Sequence, residues 1–270
     1  MSQQFSYDQG VSGFDQTFGL PMRQFVPTLL RLARLSPGQR VLDVATGSGI
    51  AAEAALNIVG LSGHVTAADI EPSMLDEARK RLSPYPNVSF AVEDGQALTL
   101  PGASFDAILC SMALHIFPDR VRALSGFHRV LREGGRVAVS VNTTPEHSLT
   151  GRLRTVVARH VPSKKVEISA WLAHMFSLGD PDRLRRPFET VGFRDVETVR
   201  ETRRFSFPSF DAYFDPIAEG AGPWGVEYAS LPADARERVR EDLRRDLEGG
   251  GASGGPVEID VDILFASGRK

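Results

Sequence analysis

In the first half of this 270-residue chain, short β-rich apolar runs alternate with stretches in which apolar residues recur every three or four positions. Arg40–Ala45 (RVLDVA), His64–Ile70 (HVTAADI), Val88–Asp94 (VSFAVED), a run inside Phe105–Leu114 and Arg136–Val141 (RVAVSV) read as five strands. Between the first two lies the Ala-rich helical stretch IAAEAALNIV, entered through Gly47-Ser-Gly49. Glu71-Pro72 opens a second helix with Met74, Leu75, Ala78 and Leu82 on one face, and Pro84 and Pro86 end it. Asp119 caps a third, which is expected to turn Val121, Leu124, His128 and Leu131 toward the sheet and to close at Gly134-Gly135. Strands alternating with helices predict an α/β protein with a parallel sheet.

Beyond residue 142 the rhythm breaks. Helical material runs from about Pro145 to Leu178, followed by a helix over Pro181–Val191, a strand over Val196–Phe207, an amphipathic stretch at Leu231–Glu248 carrying Val239, Leu243 and Leu247, and a final alternating strand, VEIDVDILFAS. The sequence is expected to form a single domain over 1–270. Its parts are an N-terminal flap and helix (1–35), a core (36–142), a helical lid insertion (143–180), a return to the core (181–207), a second insertion (208–256) that ends in the flexible GGGASGGP, and the last strand (257–270). Large apolar side chains concentrate in the parts outside the core. They are Phe5, Tyr7, Phe14 and Phe18 in the flap, Trp171, Met175 and Phe176 in the first insertion, and Phe210, Tyr213, Phe214, Trp224 and Tyr228 in the second. That composition suits a pocket for a hydrophobic or aromatic small molecule.

Composition narrows the function classes. With 31 Lys+Arg against 34 Asp+Glu the net charge is -3, so no overall basic field exists to hold nucleic acid. Residues 151–204 do carry 12 basic against 7 acidic side chains, which is either a solvated helix face or an attraction for an anionic substrate. The lone Cys110, set among apolar residues, neither closes an intrachain disulfide nor builds a thiolate zinc site, and the histidines and carboxylates lack metal-ligand spacing, so no metal is expected. No apolar run is long enough to span a bilayer, and MSQQFSYDQG is not a secretory leader; a cytoplasmic location without stable membrane insertion is expected.

Gly47-x-Gly49-x-x-Ala52, with Asp69 about 20 residues on, fits a dinucleotide-binding turn. It also fits a strand-to-helix turn that needs glycine only for its backbone angles. Asp43 separates this turn from an ordinary one, because a carboxylate inside an apolar strand is costly unless it is hydrogen-bonded and so is expected to organise the loop or a ligand. A third acidic position, Asp94, ends strand three.

The runs VLDVATGSG, TAADIEPSMLDEARKR, VEDGQALTLPGASFDAILCSMALHIFPD and HRVLREGGRVAVS, in this order over residues 41–141, resemble the class I S-adenosylmethionine-dependent methyltransferases, in particular the ubiquinone/menaquinone biosynthesis subgroup. The tail, GFRDV…RRFSF…VEIDVDILFASGR, resembles the last two strands of that fold. The resemblance implies a doubly wound, Rossmann-like seven-stranded sheet, mostly parallel with the last strand antiparallel. It implies S-adenosyl-L-methionine as cofactor, with Asp43, Ala45, Thr46, Gly47, Ser48 and Gly49 around its methionine part and Asp69 on the ribose hydroxyls. Ile70 and Met74 would lie near the adenine, Asp94 would accept from the exocyclic amine, the Gly95 amide would face a ring nitrogen, and Ser111 would lie beside the methyl. Ala45 stands where the family often has glycine.

The implied activity is methyl transfer to oxygen or carbon of a small, hydrophobic or aromatic metabolite. An NAD(P)-dependent oxidoreductase and a methyltransferase-fold protein that binds the cofactor without transfer are the alternatives. For a hydroxyl acceptor His115, in the ALH that continues strand four, is the candidate catalytic base, and His147 is next. A nucleic-acid base is not the expected acceptor, since no Asn-Pro-Pro-aromatic tetrapeptide follows strand four.

Overall fold

The structure, a computed structural model, describes residues 19–248 and 254–270. The flap aromatics Phe5, Tyr7, Phe14 and Phe18 and most of the GGGASGGP stretch lie outside the described residues.

Seven strands form one sheet in the order β3-β2-β1-β4-β5-β7-β6. They are β1 (Arg40–Val44), β2 (His64–Asp69), β3 (Val88–Val92), β4 (Phe105–Cys110), β5 (Leu131–Asn142), β6 (Arg194–Phe207) and β7 (Val257–Arg269). The pairs β1 with β2, β1 with β4, β2 with β3 and β4 with β5 are parallel, whereas β5 and β7 run antiparallel, with Asn142 opposite Ile263. This is the mixed seven-stranded sheet that the resemblance implies. The edge strand β6 is largely exposed and studded with charge (RDVETVRETRRFSF), which discourages further strand pairing.

The described residues divide into two compact units. The first comprises Met22–Asn142, Ser177–Glu201 and Ile263–Lys270. It contains α2 (Val26–Ala33), α3 (Ile50–Val59), α4 (Pro72–Leu82), α5 (Arg120–Val130) and α8 (Pro181–Val191). α3 meets its surroundings through Ala51, Ala52 and Ala55, small residues that allow close packing on the strands. α4 starts at Pro72 after Glu71 and buries Met74, Leu75, Ala78 and Leu82, the face read from the sequence. Asp119 caps α5 by accepting from the Arg122 amide at 2.9 Å.

The inward face of α5 differs from expectation. Ala123, Leu124, Phe127 and Val130 are buried and Val121 is 41% exposed, while the partly buried His128 packs its ring edge-on against Phe193. Helix and strand meet without a connecting turn, because α5 stops at Val130 and β5 begins at Leu131. Leu131 therefore belongs to the sheet, and Gly134-Gly135 lie inside β5, where the register with β4 shifts.

The second unit comprises Thr143–Phe176 and Thr202–Asp262, with residues up to Pro21. Its helices are α6 (Gly151–His160), α7 (Lys165–Met175), α9 (Phe210–Ala218), α10 (Gly222–Ala229) and α11 (Ala233–Glu248). Phe210 and Phe214 stack at 5.2 Å, Tyr228 meets Phe214 edge-on, and Tyr213 donates its hydroxyl proton to the Leu149 carbonyl. The buried Arg154 guanidinium lies 4.1 Å from the Trp171 ring and 5.0 Å from the Trp224 ring, and it pairs with Glu227 at 2.9 Å. Arg159 pairs with Asp242 and Asp246, and Arg204 with Asp260 and Glu258, so much of the local basic excess is spent on ion pairs within this unit. Among the described residues no helix is long and apolar enough to cross a membrane.

Phe127 sits fully buried in the core of the first unit with Leu124, Leu131, Phe188 and Phe193. Truncation to alanine is expected to cost about 3–5 kcal/mol of unfolding free energy, measured by urea denaturation, with far-ultraviolet circular dichroism unchanged before the transition.

Candidate active site

The site is built where four parallel strands of the first unit end. β1 delivers Asp43 into a fully buried position, and the chain turns back over Ala45–Gly49 into α3. The Thr46 hydroxyl donates to Asp43 Oδ2 at 2.6 Å, and the Thr46 amide donates to the Ala68 carbonyl of β2 at 3.0 Å. The Gly47 amide donates to Asp69 Oδ2 at 2.8 Å, and the Glu71 amide to Asp69 Oδ1 at 3.0 Å. Two strand-end carboxylates thus hold one loop.

Ala45, Gly47 and Gly49 all adopt left-handed backbone, with φ of 55°, 55° and 85°. For Ala45 this conformation costs about 1–2 kcal/mol relative to right-handed backbone, and it is the physical reason glycine suits the position. At Gly49 a side chain would also crowd Leu82 and Ala78 at 3.2–3.3 Å.

The turn after β3 is braced separately. Asp94, half-buried, accepts the Gln96 amide at 2.8 Å, and the Gln96 side chain accepts the Asp119 amide at 2.8 Å. The buried Glu93 takes both the amide and the hydroxyl of Thr99. A Cβ on Gly95 would fall 2.6 Å from the Phe117 ring, so only glycine fits beneath it without displacing that ring.

After β4 the Met112 amide donates to both the carbonyl and the hydroxyl of Ser140 on β5. The half-buried Ser111 precedes it. His115, 1% exposed, holds Nε2 3.1 Å from the side-chain amide of Asn142, a contact that fixes the orientation of the ring. Arg120 donates to the His115 carbonyl.

The hydrogen bonds join Asp43, Thr46, Gly47 and Asp69 into one assembly. Asp94 and Gln96 belong to a second, at the end of β3 beside Gly95, and His115 and Asn142 to a third, between β4 and β5, with Ser111 in the same β4–α5 segment. Ile70 follows Asp69 and is 43% exposed, whereas Met74 is buried on α4. His147 lies in the second unit, with Nδ1 3.9 Å from Asp262 Oδ2 and 3.3 Å from the Thr144 hydroxyl oxygen. Cys110 is fully buried, and burial pushes its thiol well above the ordinary range, so it is not a nucleophile. Sequence reasoning missed Glu93, Ser140 and Asn142. The available signal was their position, since each is a polar residue at or near the carboxyl end of a strand, where ligands of open α/β sheets bind.

Burial raises Asp43 to about 7, with the Asp69 charge pushing the same way and the Thr46 hydroxyl and Ala52 amide opposing. Burial also raises Asp69, against the amides of Glu71, Gly47 and Ile70. Asp43 Oδ1 is buried and makes no hydrogen bond of ordinary geometry among the described residues. The guanidinium of Arg81 on α4 is engaged with the Ser48 carbonyl at 2.8 Å and with Glu53. A loop set between two carboxylates is hostile to a pyrophosphate and suited to a ligand that brings positive charge and hydroxyl donors.

A carboxyl whose folded-state value lies above its unfolded value stabilises the fold at low pH, and that stability is lost as pH rises to the folded value. For Asp43 the loss amounts to roughly 4 kcal/mol between about pH 4 and 7. The Asp43→Asn variant escapes it. Its melting temperature relative to the unmodified protein, without added ligand, is expected to rise from pH 5 to pH 8 in thermal denaturation, and a constant difference would contradict the assignment.

A sequence profile described as "Methyltransferase domain" matches residues 41–135, the segment that carries all three assemblies except Ser140 and Asn142. The ubiquinone/menaquinone biosynthesis C-methyltransferase UbiE of Shewanella sp. (strain ANA-3) is 30% identical over 62% of this chain and 70% of its own. Nocamycin O-methyltransferase of Saccharothrix syringae is 28% identical over 97% of this chain and 96% of its own. The chain spans about half (49%) of the length of one curated relative that it matches and nearly all (96%) of another. The solved structure of phosphoethanolamine N-methyltransferase 2 from Haemonchus contortus, in complex with S-adenosyl-L-methionine, shares the fold at a TM-score of 0.59, with 18% identity over 100% of this chain and 58% of that one. Together the sheet order, the strand-end carboxylates and these likenesses show that the chain belongs to the class I S-adenosylmethionine-dependent methyltransferases.

Proposed function

We propose that this protein binds S-adenosyl-L-methionine at the ends of β1 to β4 and transfers its methyl group to oxygen or carbon of a small, hydrophobic or aromatic metabolite. The observation that carries the reading is the Asp43–Thr46–Gly47–Asp69 assembly, in which two buried carboxylates hold the glycine loop. In this reading Asp43 and the loop residues Ala45, Thr46, Gly47, Ser48 and Gly49 surround the methionine part. Asp69 accepts the Gly47 amide at Oδ2 and the Glu71 amide at Oδ1, and the acceptor capacity that remains on its carboxylate suits hydrogen bonds from a ribose cis-diol. Ile70 and Met74 flank the adenine, Asp94 accepts from its amine, the Gly95 amide serves a ring nitrogen, and Ser111 adjoins the methyl.

The bound sulfonium supplies an electrophilic methyl group. The chain's own residues then have to align the acceptor and exclude water. His115 is the residue we assign to receive a hydroxyl proton, at the ring nitrogen that does not face Asn142, with the Asn142 side-chain oxygen accepting from Nε2–H. Its partner Asn142 is neutral, so it orients the ring without the charge stabilisation that a carboxylate would give to an imidazolium. That arrangement suits a modest base acting on an acceptor whose attack is already favoured by the sulfonium. The relatives named as C- and O-methyltransferases support carbon and oxygen as the acceptor atoms, and a cytoplasmic location belongs to the same reading.

Calorimetry is expected to show binding of S-adenosylmethionine to the purified chain. Asp69→Ala removes two charge-assisted acceptors and is expected to weaken binding by roughly a hundredfold or more. A fluorescence signal with reduced nicotinamide cofactor and no heat with S-adenosylmethionine would instead support the oxidoreductase alternative. Tight binding without turnover over a broad acceptor panel would point to a binding protein on this fold.

A further inference from the structure

Asp43 has features that positioning the loop does not require. Its Oδ2 is satisfied by Thr46 at 2.6 Å, while Oδ1 is buried and makes no hydrogen bond of ordinary geometry among the described residues. The charged and titratable groups facing it are Asp69 from β2 and the Cys110 thiol from β4, with the Thr46 hydroxyl from the loop and the Ala52 amide from α3. The guanidinium of Arg81 is committed to Ser48 and Glu53. A buried carboxylate in such company lacks a compensating cation, so without a ligand the neutral acid is the favoured form near and below neutrality.

The two ligands of a methyl-transfer cycle differ by one positive charge. The methyl donor carries a sulfonium, and the product left after transfer carries a neutral thioether; both keep the same amino acid and ribose groups. Building on the cofactor reading above, we propose that Asp43 is the residue that distinguishes the charged donor from its spent product: both ligands bring an α-ammonium, but only the donor adds the sulfonium charge that holds Asp43 fully ionised, so donor binding expels more of a proton than product binding does. Protons balance across the cycle, because the carboxyl that loses its proton when the donor enters regains one when the sulfur becomes neutral. The discrimination favours product exchange for fresh donor as pH rises toward neutrality. Burial of Asp43 and its raised titration range support this, and the buried Oδ1 supplies the geometry.

The test is calorimetry with S-adenosylmethionine and S-adenosylhomocysteine on the full chain between pH 5.5 and 6.5, a range in which the α-amino groups of both ligands stay protonated. Two buffers of different ionisation enthalpy are used, so that proton release is read directly. Donor binding is expected to release close to one proton, and the donor-to-product affinity ratio to rise by up to roughly eightfold across that range. In Asp43→Asn the ratio is expected to become independent of pH; any titration of Asp69 acts on both ligands alike and cancels. A wild-type ratio that does not change with pH, or one that shifts equally in Asp43→Asn, overturns the proposal while leaving cofactor binding intact. Failure of either ligand to bind at any pH overturns the cofactor reading itself. Should Asp43→Asn fail to fold, as judged by circular dichroism, the wild-type ratio and proton release decide alone.

Discussion

A carboxylate cannot sit in the middle of a fully covered parallel strand unless the surrounding backbone is arranged to receive it. Asp43 occupies such a place, on β1 between β2 and β4, and much of the site follows from it. Its bond to the Thr46 hydroxyl, three residues on, bends the chain sharply at the strand end. Along that bend the backbone is left-handed at alternate residues, Ala45, Gly47 and Gly49. The loop then presents the Gly47 amide to Asp69, tying the ends of β1 and β2 together.

The other strand ends are held by the same kind of device, a polar side chain that captures a backbone or side-chain group of a neighbouring segment. Glu93 secures the segment after β3, Ser140 secures the one after β4, and Asn142 orients His115. Such hydrogen bonds contribute about 0.5–1.5 kcal/mol each, and more where the acceptor is charged, as at Glu93, so the scaffold itself helps to order the loops at this edge. A site ordered in this way spends little binding energy on organising itself, which leaves more for alignment of the reacting groups.

The sequence was most legible where a local pattern has one physical cause. Gly47-x-Gly49 with Asp43 before it and Asp69 after it announced the loop, and the alternation of strands with helices announced the sheet. The face of α5 was misread because His128 and Leu131 fall at helical spacing from Leu124; only the abrupt passage from Val130 into β5 shows that Leu131 belongs to a strand. Asn142 and Ser140 read as ordinary strand polars, since their partners, His115 and Met112, are far away in sequence. The second unit was legible as helices and aromatic residues but not as an association. Nothing local to residues 154, 171, 224 and 227 says that these four meet.

That meeting also settles what the chain's intrinsic emission can report. The protein has two tryptophans, and both ring systems lie against the Arg154 guanidinium in the unit that does not contain the glycine loop. Their fluorescence is therefore a readout of the packing around one buried cation. A change of colour or intensity on adding a small molecule would speak first about that cluster.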